Sequence, residues 1–204
     1  MTLASPSWML LRLALETKPH HATADADRLT LLEDDVPTVE RYRTFLEAVY
    51  GFESRYEQAL IQTPDLAPRV VRECTRVALL RNDLRSLGAT TRDLQSLAGP
   101  LVPRFPHEAH ALGWVYAVER NTLLHGLLRR HLCRALPRTL EHAGTYLGAY
   151  TSPGARYREL GVDLEAGARR ANPSLIIAGA NEAFGCQRLW FARIRHTVAR
   201  RLAS

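Results

Sequence analysis

The chain has 204 residues and 22.9 kDa, enough for one sizeable core and short for two, and with 46% apolar and 24% charged residues it is too apolar to be disordered. Its net charge is +6 with a pI near 9.6, nearly all of it arginine because Lys18 is the only lysine; such a balance suits anionic partners, although arginine-rich usage alone explains much of it. Cys74, Cys133 and Cys186 stand far apart with no Cys-x-x-Cys pair, which argues against a disulfide framework or a thiolate metal site and for a reducing compartment.

Apolar residues recur at helical spacing in window after window, and no stretch sustains an apolar–polar alternation, so the expected class is all-α in a single domain over 1–204. The segment 8–15 is apolar, but Arg12 interrupts it and neither a basic leader nor a small-residue cleavage site accompanies it. A cytoplasmic protein without signal peptide or membrane span is expected. Val39, Tyr42, Phe45, Leu46, Val49 and Tyr50 form one stripe, with Pro37 in the first turn after Asp34 and Asp35. A second helix is predicted over 68–87, ended by Gly88, and a short one over 91–97; the breakers of 99–106 read as a loop.

The longest predicted helix covers 107–136 and stops at Pro137. Its middle, 112–128, is apolar on most faces, which places it through the centre of the domain and suits a cofactor wall. Helices over 138–149, 154–169 and 173–202 complete the chain. His107, Glu108 and His110 have metal-like residue types, but they follow Pro106 at a loop edge and read as a solvated helix start. A di-iron bundle would need Glu-x-x-His pairs on two helices, and none occurs; nor is there a Gly-rich phosphate loop or a Gly-x-Ser-x-Gly elbow. Arg188, Arg193, Arg195, Arg200 and Arg201 give the last helix a basic end, better explained by the helix dipole than by nucleic acid, which is an unlikely partner here.

Four stretches together resemble the heme oxygenase family, in its bacterial, bacteriophytochrome-associated branch. Leu13, Thr17, His21 and Asp25 match its proximal helix; Asp83, Leu84, Leu87 and Gly88 match its Asp-Leu…Leu-Gly helix end; and 146–160 is similar to its aromatic Tyr-Gly…Trp/Tyr-Arg segment. The most specific stretch is 113–126, where Tyr116, Glu119, Thr122 and Leu123 fit the pattern Gly-x-Leu-Tyr-Val-Leu-Glu-Gly-Ser-Thr-Leu-Gly-Gly. Phe184 and Trp190 fall in a stretch that resembles the last packing helix.

The resemblance implies a heme oxygenase-like fold that holds heme b between the His21 helix and the helix through Tyr116. It implies ring opening of heme to biliverdin, ferrous iron and carbon monoxide, with dioxygen, an external electron donor and possible delivery of biliverdin to a bacteriophytochrome. His21 would be the iron ligand, with His20 as the fallback. Lys18, Arg156 and Arg158 would anchor the propionates. Tyr116, Arg120 and Leu124 would line the cofactor, and Asn121, Thr122 and His125 would form the catalytic distal wall. Pro19 must open or kink the helix on the proximal side.

The sequence departs from the family on that wall. Arg120 replaces the first glycine, and Leu124 with His125 replaces the following pair, so bulky groups stand where the family leaves space; Gly126 compensates only if the register slips by one. His125 on the iron would give a bis-histidine heme. The alternative reading is therefore a heme oxygenase-fold protein that binds heme, another tetrapyrrole or a protein partner without turnover.

Overall fold

A computed structural model describes residues 7–29, 37–149 and 153–202, and among them every regular element is helical. The centre is α7 (Glu108–Arg120), which buries Ala109 and every residue from Ala111 to Glu119. A helix apolar on most faces must be covered on most sides. The long last helix α11 (Pro173–Leu202) runs along it, with α10 (Pro153–Arg170) on another flank.

Two glycines make the α7–α11 seam possible. A Cβ on Gly113 would lie 2.0 Å from the Ile176 carbonyl oxygen, and one on Gly179 would lie 2.3 Å from that of His110. The glycine that opens the 113–126 motif thus serves helix packing.

The other elements close around this pair. α1 (Trp8–Glu16), capped by Ser7, is separated at Thr17 from α2 (Lys18–Leu29), with Pro19 in the first turn of α2 as its fixed φ requires. α3 (Val39–Ile61) is capped by Thr38 and buries Tyr42, Phe45, Leu46, Val49 and Phe52 against the core. Asp34 and Asp35, read as preceding that helix, lie outside the described residues. α6 (Thr91–Ser96) opens on a full Thr90–Asp93 capping box.

Three predicted helices are shorter or broken. The 68–87 run divides into α4 (Pro68–Cys74) and α5 (Val77–Ser86), because Thr75 is extended and Glu57 of α3 accepts hydrogen bonds from the backbone N–H groups of Arg76 and Val77, the latter at 2.7 Å. The left-handed Gly88, φ +86°, then ends α5 as expected. The 107–136 run breaks at a 3-10 turn, Asn121–Leu124, before α8 (His125–Ala135). The segment predicted over 138–149 is helical only in α9 (Pro137–Ala143); beyond it the buried Asp83 carboxylate holds the backbone N–H groups of Thr145 at 3.0 Å and Tyr146 at 2.8 Å.

Candidate functional site

The residues of the proposed cofactor crevice lie where α2 meets the C-terminal end of α7. Thr17, at the junction of α1 and α2, is buried and donates its hydroxyl hydrogen to the Leu13 carbonyl at 2.7 Å. Its oxygen lies 2.9 Å from His21 Nε2 and 3.5 Å from the Tyr116 hydroxyl. With the threonine proton spent on Leu13, the short contact to His21 requires that Nε2 carry the imidazole hydrogen. The His21 pKa is lowered, first by burial and then by the Arg120 charge, against an opposing contribution from Asp25. His21 is therefore a neutral imidazole at neutral pH, with Nε2 turned back on its own helix start.

Aromatic rings wall the same place. Phe184 of α11 lies under both histidines, its centroid 5.6 Å from His20 and 5.7 Å from His21. Tyr116 meets Phe184 edge-on at 6.4 Å and Tyr157 of α10 at 6.0 Å. Across the gap, Arg120 reaches from the last turn of α7 to Asp25 on α2 and binds both carboxylate oxygens, at 2.5 and 2.9 Å. A planar guanidinium on a carboxylate is the strongest bidentate pair proteins make. It bolts the two helices together at the position where the family has a glycine.

These residues do not fit an oxygen-activating heme. An iron porphyrin between α2 and α7 would need His21 Nε2 as a free lone pair, whereas that atom carries a proton directed at Thr17. It would also need open space beside α7, whereas the Arg120–Asp25 pair crosses it. Leu124 is half-buried against the core, and Gly126 is no substitute for the lost glycines: a Cβ there would meet only the tip of Arg130, at 3.6 Å.

The other site residues read from sequence are scattered. Lys18 at the start of α2 and Arg158 on α10 are exposed, free to meet an anionic ligand from solvent. Arg156, expected at the propionates, is buried: it binds Glu73 at 2.8 Å and the Cys74 sulfur at 2.9 Å, with Glu119 at 3.8 Å. Asn121 and Thr122, expected on a catalytic wall, face inward; Asn121 donates to Gln187 of α11 at 3.1 Å and Thr122 to the Glu119 carbonyl at 2.7 Å. His125, expected over the iron, packs its ring on Tyr146 with centroids 4.6 Å apart, in another part of the interior.

Glu119, a match to the family pattern, is likewise structural. It joins Arg76, which also approaches Glu53 at 3.4 Å, in an ion-pair network whose three side chains are almost wholly buried. Asp25, Thr17 and Phe184 are the site residues that complete the cleft around His21; the first two were visible as parts of the family register, whereas only the fold brings Phe184 there. His107 caps α7 through its side chain and His110 binds Glu182 at 2.6 Å, and among the described residues no three metal-ligating side chains cluster. No described helix is long and apolar enough to cross a membrane.

The fold and this cleft define an all-α protein with a latched, aromatic-walled crevice. Compared with known proteins, the chain matches no family model, no curated sequence and no solved structure.

Proposed function

We propose that the chain is a heme oxygenase-like protein that has kept a tetrapyrrole cleft and lost ring opening: it binds a tetrapyrrole by its carboxylates and does not oxidise it. The reading rests on the four stretches that resemble the family, and one observation carries its second half, the Arg120–Asp25 pair that spans the cleft where the family leaves room for dioxygen. A ligand carboxylate offers Arg120 the same two acceptor oxygens as Asp25, so it enters by exchange, while the rings of Phe184, Tyr116 and Tyr157 supply flat apolar contact. Lys18 and Arg158, both solvent-facing, meet the second carboxylate. On this reading the protein carries or presents a tetrapyrrole, for instance to a bacteriophytochrome, and needs no electron donor.

The test is titration of the purified protein with biliverdin and with its dimethyl ester, followed by absorbance and by quenching of tryptophan fluorescence. The diacid should saturate one site at least tenfold more tightly than the ester, and Arg120→Gln should remove most of that preference. Equal binding of acid and ester, or no saturable binding of either, would refute the proposal.

A further inference from the structure

Buried polar atoms without partners gather around His125, away from the Arg120–Asp25 latch. Arg28 of α2 is 1% exposed, and its Nε and Nη2 atoms make no hydrogen bond. Among the described residues no carboxylate lies within ion-pair distance of it; its one close partner is the Phe191 ring, 5.1 Å from the guanidinium carbon. A guanidinium cannot shed its proton, so the charge stays. A cation over a ring offsets part of the desolvation and leaves the charge uncompensated.

The neighbouring acids are committed elsewhere. Glu53 and Glu119 face Arg76, Glu119 also faces Arg156, and Asp27 binds Arg195. His125 is 3% exposed and neither ring nitrogen has a partner. Burial first, then the positive charges of Arg76 and Arg28, hold its pKa well below the ordinary histidine value, so the imidazole is neutral and adds one N–H without adding charge. The same two arginines act on Tyr146, whose ring packs on His125, which sets Arg28 and His125 against one common interior. Gln187, one turn before Phe191 on α11, also keeps its buried Nε2 unpartnered. The inventory is donor-rich: two guanidinium N–H directions, an imidazole N–H and an amide, facing one uncompensated positive charge.

We propose that this interior holds a small monoanion of nitrate or formate size, bound by Arg28 and His125 with Gln187 at its edge. Water would satisfy the donors and leave the charge in a low-dielectric interior; a monoanion does both, whereas a dianion would add negative charge beside Glu53 and Glu119. None of these residues belongs to the cleft latch, so the site stands or falls independently of tetrapyrrole binding.

The test uses the full chain in a gluconate buffer, titrated with sodium nitrate at constant ionic strength and followed by calorimetry and thermal unfolding. One saturable site is expected, with a melting temperature that keeps rising with the logarithm of nitrate beyond saturation, and binding at least tenfold weaker in Arg28→Met and in His125→Phe. Should Arg28→Met fail to fold, the broadening of the 35Cl resonance by wild-type protein in chloride, and its reversal by nitrate, is compared with that of His125→Phe, which keeps a ring against Tyr146. Absence of saturable binding to the wild type, or binding unchanged in the variants that fold, would overturn the proposal, the latter by exposing an adventitious surface ion.

Discussion

Asp25→Asn isolates the latch. The pair is bidentate, with side chains 14% (Arg120) and 28% (Asp25) exposed, so it lies between a surface ion pair worth about 0–1 kcal/mol and a buried one whose loss costs about 3–5 kcal/mol. Asparagine keeps one acceptor oxygen toward Arg120 and removes the charge. A loss of about 1–2 kcal/mol is the reasonable middle, and in a chain of this size that lowers the melting temperature by roughly 2–8 °C. The same free energy opposes a ligand carboxylate that displaces Asp25 in the wild type. Relieved of it, biliverdin should bind about 5- to 30-fold more tightly, since about 1.4 kcal/mol is a factor of ten. Urea denaturation gives the first quantity and absorbance titration the second. A variant that is destabilised by this amount and binds biliverdin with wild-type affinity, or that gains equally for the dimethyl ester, would refute carboxylate exchange at Arg120.

Other consequences concern the scaffold. Gly113→Ala places a methyl group 2.0 Å from the Ile176 carbonyl oxygen and must push α11 off α7; a loss of about 3 kcal/mol or more in urea denaturation is expected, and a neutral result would contradict the seam. Glu119→Gln leaves Arg76 and Arg156 short of a buried counter-charge and should cost about 3–5 kcal/mol by the same measurement. Burial raises the Glu57 pKa to about 7, against the opposing hydrogen bonds from Val77 and Arg76. A folded-state pKa above the unfolded one means that the native state binds more protons between pH 4.5 and 7, so this group's contribution is fully present below about pH 4.5 and is lost as pH rises through 7. The stability of wild type minus that of Glu57→Gln should therefore fall across that window; a flat difference would remove Glu57 as the cause.

Helix class, the central place of the 112–128 segment and the break before Pro19 were legible because each rests on local pattern: apolar spacing and proline chemistry. The interruption of 68–87 was not, because what ends the helix at Thr75 is a carboxylate from α3, Glu57, some twenty positions earlier in sequence. The 3-10 turn at Asn121–Leu124 escaped for the same reason. No glycine or proline marks it, and Asn121 turns toward Gln187 across the domain. In the cleft, His21 with Thr17, Asp25 and Tyr116 could be read from spacing, and the loss of the wall glycines gave fair warning of a filled crevice. That Arg120 fills it by seizing Asp25 requires knowing that α7 ends opposite α2. Arg156 misled because an arginine near a helix start ordinarily faces water; here Glu73 and Glu119, from two other helices, draw it inside. Arg28 and His125 gave no signal at all, since burial of a charge is invisible to a one-dimensional pattern.

The most direct check of the central claim is spectroscopic. Purified protein is mixed with one equivalent of hemin, supplied with reductant and dioxygen, and followed through the visible range in parallel with Arg120→Gly. The account predicts that the wild-type Soret band persists and no biliverdin band grows, because the Arg120–Asp25 pair occupies the space beside α7. Decay of the Soret band with stoichiometric appearance of biliverdin in the wild type would contradict it.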